Sequence, residues 1–233
     1  MSAVEDYWRT SPGNYAADAQ QFHSWFNNCE SEKDSIAKGA SDFFHRVFTA
    51  DFYEYVGNPQ EKTCLEIGFG GGRLMNHASK VFRHAYGIDI HDAFDVTQAF
   101  LASQGNSNFT LVSDPNSIPD ESIDFVYSFI TFQHFSSWKV SQDYIEWIAK
   151  IVKDGGVGII YFGEFHEKGS KVEEHSDPIK YTSTLLVTPD LAIAEIGKYF
   201  QVIEWKNNLM KQLWASEKSG QFYVKFAKKG IKR

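Results

Sequence analysis

Acidic residues end three successive apolar segments of the sequence, and a run of glycines follows the first. Glu66 lies two residues before Gly68, Asp89 ends Tyr-Gly-Ile-Asp, and Asp114 ends Leu-Val-Ser-Asp. Ligands of open α/β sheets bind beyond the carboxyl ends of the strands, so acids in these positions line one edge. Carboxylates there accept hydrogen bonds from hydroxyl groups and attract positive charge. The pattern predicts a site for a cationic ligand that carries hydroxyls.

The glycine run, Gly68-Phe69-Gly70-Gly71-Gly72, predicts a turn whose backbone a ligand can approach closely. The dinucleotide fingerprint requires a glycine where Arg73 stands, and no Gly-Lys-Ser/Thr follows as in a phosphate loop. The carboxylate of Glu66 would also oppose a pyrophosphate and suit an ammonium or a sulfonium. A second role for Glu66, hydrogen bonding to loop amides, is compatible with the first.

The acids after the second and third segments have more specific expected roles. Asp89 lies 21 positions after Gly68, close to the offset of about 20 at which an acid takes ribose hydroxyls. A less favoured role for Asp89 is to cap a helix that begins near residue 91. Asp114 would accept from an adenine amino group, or form an Asx turn with Pro115 and Asn116. Both roles of Asp114 stay open.

Short apolar segments alternate with amphipathic ones from Thr63 onward. We expect strands near 63–67, 85–90, 109–112, 123–129, 157–162, 201–206 and 221–227. We expect helices over 72–81, 92–104 and 138–152, and another after Thr188-Pro189-Asp190. This alternation predicts βαβ units and a mostly parallel sheet with helices on both faces. The last two strands lack a crossover helix, so they are expected to pair antiparallel at one edge. Asp124, at the start of its strand, is expected to be structural.

The first 57 residues show helical spacing of apolar side chains. The two groups with this spacing are Phe22, Trp25 and Phe26, then Phe44, Val47, Phe48 and Phe52. We therefore expect an N-terminal helical segment, 1–57, that forms part of a substrate pocket or lid. The main domain would span 58–233. The polar stretch 163–188 is long for a plain connection and is expected to be a lid or substrate loop.

With these motifs in order, the sequence resembles the class I S-adenosylmethionine-dependent methyltransferases from about residue 62 to 162. The matching segments are Leu-Glu-Ile-Gly-Phe-Gly-Gly-Gly-Arg-Leu (65–74), Gly-Ile-Asp-Ile (87–90), Ser-Asp (113–114), Ile-Pro-Asp-Glu-Ser-Ile-Asp-Phe-Val-Tyr-Ser (118–128), Phe-Gln-His-Phe (132–135) and Lys-Asp-Gly-Gly (153–156). The resemblance implies a Rossmann-like α/β fold with seven strands in the order 3-2-1-4-5-7-6. It also implies S-adenosylmethionine as the cofactor.

By this resemblance, the methionine part of the cofactor would lie on Glu66 and the glycines. The ribose and adenine would lie on the acids after the second and third strands, and the methyl group near the residues after the fourth. The usual glycine after the third acid is missing, because Pro115 follows Asp114. The candidate cofactor-binding residues are Glu66, Gly68, Gly70, Gly72, Asp89, Ile90, Asp114, Ser128, Phe129 and His134.

Methyl transfer to oxygen or nitrogen depends mainly on alignment, and an alcohol acceptor also benefits from a general base. The candidate catalytic residues are His134, Glu164 and His166, which follow the fourth and fifth strands. An alternative role for His134 is to pack against the cofactor or hydrogen-bond to it. The spacing of acids and histidines over 164–177 matches no closed metal site, so we expect no metal.

The composition of the chain limits the kinds of partner that it is expected to bind. The net charge of −7 and the lack of a basic block before the last few residues argue against nucleic acid. No signal segment or membrane span is visible, so we expect a cytoplasmic protein; its oligomeric state is open.

The 20 Phe, 11 Tyr and 6 Trp offer rings that stack on a saccharide. We expect a small-molecule acceptor with a hydroxyl or an amine, such as a sugar or other secondary metabolite. The rivals are a non-catalytic S-adenosylmethionine-binding sensor or partner subunit and a nicotinamide-dependent oxidoreductase.

Overall fold

The computed structural model describes residues 1–27, 29–165, 170–181, 183–207 and 219–229. Its α-helices are α1 Ala3–Thr10, α2 Ala19–Asn27, α3 Glu32–Asp42, α4 Ala50–Val56, α5 Met75–Val81, α6 Phe94–Ser103, α7 Trp138–Ile151 and α8 Pro189–Ile196. Its strands are β1 Thr63–Ile67, β2 His84–Ile88, β3 Phe109–Val112, β4 Ile123–Ser128, β5 Val152–Phe165, β6 Val172–Glu174, β7 Leu185–Val187, β8 Phe200–Asn207 and β9 Ser219–Lys228. Each expected strand and helix is present. The strands β6 and β7 lie where the sequence predicted a loop.

The chain divides into two compact units. The N-terminal unit comprises Tyr7–Ile118 and Ile123–Phe125, and the C-terminal unit comprises Met1–Asp6, Pro119–Ser122 and the described part of Val126–Arg233. Strand β4 therefore gives its first half to one unit and its second half to the other. Over the described ranges, no helix is both long enough and apolar enough to cross a membrane.

The sheet follows the predicted topology. In the N-terminal unit the strand order is β3-β2-β1-β4, and β1, β2 and β3 pair in parallel. In the C-terminal unit β4 neighbours β5, β5 pairs antiparallel with β9, and β9 pairs antiparallel with β8. If β6 and β7 are left out, β8 and β9 become the sixth and seventh strands, and the order is 3-2-1-4-5-7-6 as predicted. The added hairpin of β6 and β7 joins β5 at the pair Glu164↔Val187. The Rossmann-like α/β fold is confirmed.

A ring cluster in the N-terminal unit shows where the helical spacing of the sequence was misleading. Phe48 is buried against Phe82 and Phe125, with ring centroids 4.9 and 5.2 Å apart. The expected core residue Phe44 is instead 39% exposed, and Phe43 is fully buried. The cause is a π-turn after α3, in which Phe48 N donates to Phe43 O over 2.7 Å. One extra residue in the turn shifts the inward face by one position.

Asp124 and the two cysteines lie in the structural part of the fold. Asp124 accepts the backbone N–H of Thr63 at 2.9 Å and lies 3.6 Å from the Lys62 amine, so it ties β4 to the start of β1. Cys64 is a free thiol in the core, and burial raises its pKa well above the usual value. Cys29 is also buried. Asp124 is thus structural, as the sequence suggested.

His23 on α2 gives the fold a dependence on pH. Its side chain is 1% exposed and packs on Phe100 at 4.3 Å between ring centroids. Among the described residues, neither of its ring nitrogens has a hydrogen-bond partner. Burial lowers the pKa of His23 below 6.5, although the charge of Glu32 acts in the opposite direction. The unfolded chain therefore takes up this proton at a higher pH than the folded chain, and the free energy of unfolding falls as the pH drops through that window.

We expect His23→Leu to flatten the acid side of the stability curve. Denaturant unfolding at about pH 7 and pH 5 measures the change in the free energy of unfolding, which should be smaller in the variant than in the wild type. The slope should not vanish, because burial also lowers the pKa of His77 and His84. The exposed His45→Gln is the matched control and should keep the wild-type slope. An unchanged slope in His23→Leu would refute the assignment.

Candidate active site

The glycine loop after β1 has the backbone that the sequence predicted. Gly68, Gly70 and Gly72 have φ angles of 79°, 49° and 80°. A side chain at Gly70 or Gly72 would be strained at such angles and would also meet a neighbour. The added Cβ would lie 2.8 Å from the Phe26 ring at Gly70 and 2.9 Å from the Thr97 methyl at Gly72. The loop is thus bound closely on both sides and depends on glycine.

Gly70 is the centre of a hydrogen-bond network. Its N–H donates to Oδ2 of Asp89 at 2.8 Å. Its carbonyl accepts from the Thr97 hydroxyl at 2.8 Å and lies 3.2 Å from Nε2 of His91. Because Nδ1 of His91 accepts the Ala93 N–H, Nε2 is the nitrogen that carries the proton to Gly70. Sequence reasoning missed Thr97 and His91, since neither lies at a strand end within a motif.

Asp89 is oriented by two backbone groups. Besides the Gly70 N–H at Oδ2, its Oδ1 accepts the Ile90 N–H at 2.7 Å. Each carboxylate oxygen has a second lone pair, so the group is held in place while it can still accept two hydroxyl protons. Asp89 does not cap a helix, because α6 begins later, at Phe94. Ile90, the other candidate on this side, is 37% exposed.

Glu66 lies in β1, opposite Gly87 of β2, and is 3% exposed. A Cβ on Gly87 would come within 2.8 Å of the Phe69 ring, so this glycine lets the glycine loop pack against β2. The buried carboxylate therefore lies immediately before the glycine loop, as the sequence predicted. Its role toward a cofactor stays a proposal.

Asp114 forms the Asx turn that the sequence left as one of two roles. Its Oδ1 accepts both the backbone N–H and the side-chain amide of Asn116, each at 2.9 Å. The turn begins the short helix Pro115–Ser117. These two bonds use one carboxylate oxygen, so an adenine contact through the other remains compatible with the geometry.

The helix α3 packs directly on the end of the glycine loop. A Cβ on Gly39 would lie 2.3 Å from the carbonyl oxygen of Arg73. The Arg73 guanidinium pairs with Asp42 at 2.5 Å, and Ile36 O lies 3.0 Å from Nε2 of His77 on α5. Arg73, which stands where the dinucleotide fingerprint requires a glycine, thus anchors α3 to the loop. The sequence showed only that Arg73 is not glycine.

The Phe26 ring of α2 covers Gly70, and other rings of α1 and α2 pack behind it. The Phe26 ring lies against Gly70 and 5.2 Å from the ring of His91. Trp25 packs beside Phe26 at 4.8 Å and also contacts Trp8 at 5.4 Å. The helical segment expected from the sequence therefore reaches the glycine loop. Its part in a substrate pocket or lid stays a proposal.

The turn after β4 carries the remaining cofactor candidates. Ser128 ends β4 and is fully buried, and the buried Phe129 packs on Tyr161 at 4.8 Å. Ile130 follows with a φ of 73°, which a β-branched residue adopts only under strain. Strained backbone of this kind clusters at functional sites, so the turn is a candidate for ligand contact.

The catalytic candidates lie at the carboxyl ends of β4 and β5 in the C-terminal unit. His134 ends the short helix Phe132–His134 and is half-buried. Glu164 is 6% exposed, and both its oxygens accept from the Asn207 amide, at 2.9 and 2.7 Å. His166 lies outside the described residues. Among those that are described, no group of three or more His, Cys, Asp or Glu is placed to hold a metal ion.

The comparisons with known proteins agree with this geometry. Residues 65–160 match a family model described as a methyltransferase domain. No curated protein sequence matches the chain. An S-adenosylmethionine-dependent methyltransferase from Aquifex aeolicus is similar in structure, with a TM-score of 0.55 and 16% identity over 82% of this chain and 96% of its own.

Two further structures share the fold. The N-methyltransferase NodS from Bradyrhizobium japonicum, in complex with S-adenosylhomocysteine, has a TM-score of 0.57 and 10% identity over 94% of this chain and 97% of its own. The (4+2)-cyclase SpnF has a TM-score of 0.59 and 12% identity over 78% of this chain and 81% of its own. At these identities the likeness is one of fold.

The fold is that of the class I methyltransferases. The family match places the methyltransferase domain on residues 65–160, which include the glycine loop and its acids. Residues 65–160 therefore match a methyltransferase domain, and the fold around them is one that S-adenosylmethionine-dependent methyltransferases share. The resemblance, the enzyme class and the cofactor expected from the sequence are confirmed.

Proposed function

We propose that the chain methylates a hydroxyl or an amine of a small molecule. The proposed class of acceptor is a sugar or a secondary metabolite. The observation that carries the cofactor part of the proposal is the oriented carboxylate of Asp89, which Gly70 and Ile90 hold at the end of β2. A carboxylate fixed in this way suits the two hydroxyls of a ribose. The neighbour NodS is an N-methyltransferase, which supports an amine among the acceptors.

The chain offers a matched set of acceptors to a cationic nucleoside. In the proposed arrangement, Glu66 and the glycines hold the amino-acid part, and Asp89 and Ile90 hold the ribose side. Asp114 takes the adenine, and the strained turn with Ser128, Phe129 and His134 serves the methyl end. The acids lie near a loop that lacks a phosphate-binding sequence, so the site suits a positively charged ligand.

When bound, S-adenosylmethionine supplies a methyl whose carbon–sulfur bond breaks, its electrons going to sulfur, as the acceptor oxygen or nitrogen bonds to carbon. The chain must align the acceptor and remove its proton. We assign proton removal to Glu164, a buried carboxylate whose two oxygens are oriented by the Asn207 amide. His134 and His166 are the other candidates for this role.

The test is a methyl-transfer assay over a panel of hydroxyl and amine acceptors, followed by mass spectrometry. With an active acceptor, Glu164→Gln should lower kcat by about 10² to 10⁴, the range for loss of a general base. Its affinity for S-adenosylhomocysteine should stay within about threefold, since the cofactor contacts are retained. Glu146→Gln, at a half-exposed surface ion pair, is the matched control and should leave kcat unchanged.

Two results would count against the proposal. An unchanged kcat in Glu164→Gln would remove Glu164 from the mechanism. Binding of S-adenosylhomocysteine with no transfer to any acceptor in the panel would favour a non-catalytic sensor or partner subunit. The fold neighbour SpnF is described as a cyclase, so proteins of this fold are not all named for methyl transfer.

A further inference from the structure

We propose that Gln133 and Gln221 fix the ring tautomer of His134 and make this histidine a hydrogen-bond donor to the substrate instead of the base. Both glutamine side chains are buried, each 3% exposed. The Gln221 amide nitrogen donates to Oε1 of Gln133. Nε2 of Gln133 lies 3.2 Å from Nε2 of His134. The three side chains form one hydrogen-bonded chain within the C-terminal unit.

The direction of this chain follows from the orientation of the two amides, in which the Gln221 nitrogen faces the Gln133 oxygen. An amide nitrogen only donates, and an amide oxygen only accepts. Because Oε1 of Gln133 receives the Gln221 N–H, its Nε2 is the atom that meets His134. Two nitrogens share a hydrogen bond only when one of them offers a lone pair. Nε2 of His134 is therefore unprotonated, and the ring proton lies on Nδ1.

This tautomer excludes Nε2 of His134 as the base. A proton taken up there would point an N–H at the amide N–H of Gln133, with no acceptor between them. Nδ1 already carries its proton and can only donate. The one N–H donor of the ring is then Nδ1, a buried atom, and a carbonyl, hydroxyl or amine lone pair of an acceptor molecule that reaches it would accept this hydrogen bond.

The backbone around His134 is clamped as well. The Thr184 N–H donates to Gln133 O at 2.9 Å, and the Thr184 hydroxyl donates to Phe135 O at 3.0 Å. Thr184 directly precedes β7, so the added hairpin holds the turn that carries His134. Gly163 on β5 makes room, because a Cβ there would lie 3.1 Å from the Gln133 Cβ. The ring is oriented before any ligand binds.

Gln133 and Gln221 are thus positioning residues that act through His134. The catalytic part of this inference rests on the proposed function, in which Glu164 removes the proton. The tautomer does not rest on it, because the tautomer is a property of the protein without a ligand. NMR tests the tautomer and enzyme kinetics test the catalytic role, so the two parts of the inference can fail separately.

The test is Gln221→Glu, which changes a residue one step removed from His134. A carboxylate only accepts, so the Gln133 amide must reverse and turn its oxygen toward His134. The ring proton then moves to Nε2. Long-range proton–nitrogen NMR of the ring nitrogens reads this change directly, and His134→Gln identifies the signals of this ring among the eight histidines. We expect the Nδ1–H tautomer in the wild type and the Nε2–H tautomer in Gln221→Glu.

Gln201→Glu, on exposed β8, is the matched control and should keep the wild-type tautomer. Gln221→Met serves if the buried carboxylate prevents folding. Methionine gives Gln133 no N–H donor, so both tautomers should appear. With an active acceptor, Gln221→Glu should lower kcat about tenfold and change the KM for S-adenosylmethionine less than about threefold. An Nε2–H ring in the wild type, or an unchanged tautomer in both Gln221 variants, would overturn the proposal.

Discussion

Asp89→Ala is expected to weaken the binding of S-adenosylhomocysteine by at least about a hundredfold. Hydrogen bonds to a charged group contribute about 1.5 to 3 kcal/mol each, and the proposed grip on the ribose has two of them. The same substitution removes the acceptor of the Gly70 N–H at the centre of the glycine loop. Titration calorimetry measures the affinity, and circular dichroism checks that the variant is folded.

The matched control is Asp92→Asn, three residues away. Its side chain is 65% exposed and pairs with Arg9 at 3.6 Å, so it removes the same charge from the same segment without touching Gly70. We expect an affinity within about twofold of the wild type. Equal affinities of Asp89→Ala and the wild type would remove Asp89 from the cofactor site.

Gly39→Ala is expected to destabilise the protein, although alanine is the better helix former. Helix propensity alone would raise the free energy of unfolding by about 0.8 to 1 kcal/mol. The new Cβ, however, would lie 2.3 Å from the carbonyl oxygen of Arg73. Because that atom is backbone, α3 must move away, and such overpacking costs about 1 to 3 kcal/mol or more.

The cost of the new contact therefore exceeds the gain in helix propensity. The sign of the change in the free energy of unfolding shows which of the two effects is larger. Denaturant unfolding should show a lower free energy of unfolding for Gly39→Ala. The shift of α3 should also loosen the Arg73–Asp42 pair and weaken binding of S-adenosylhomocysteine. Gly13→Ala, where nothing lies within 4 Å of the new Cβ, should change stability by less than about 0.5 kcal/mol. A stabilised Gly39→Ala would show that α3 does not pack on the glycine loop.

Most of the sheet was predictable, because strand and helix periods differ and the glycine run fixes the first βα turn. The error at Phe44 has a local cause. A regular spacing cannot show the π-turn that exchanges Phe44 for Phe43, since both residues are phenylalanine. The hairpin of β6 and β7 was missed because its strands are three residues each, too short for an alternating pattern.

Site residues were predictable from the sequence where their role depends on their position at the end of a strand. Asp89 illustrates this, because its offset from the glycines follows from one βαβ unit. The partners that orient such residues are distant in sequence. Thr97 reaches Gly70 from α6, and Gln221 reaches Gln133 from β9. Long-range pairs of this kind have no sequence signal in a single chain, so only the folded structure shows them.

The central claim is that the glycine loop and Asp89 form the S-adenosylmethionine site. A crystal structure of the wild-type chain with S-adenosylhomocysteine tests it most directly. We predict one ligand on the glycine loop, with both ribose hydroxyls within hydrogen-bond distance of the Asp89 carboxylate. A ligand bound elsewhere, or one whose ribose does not contact Asp89, would contradict the claim.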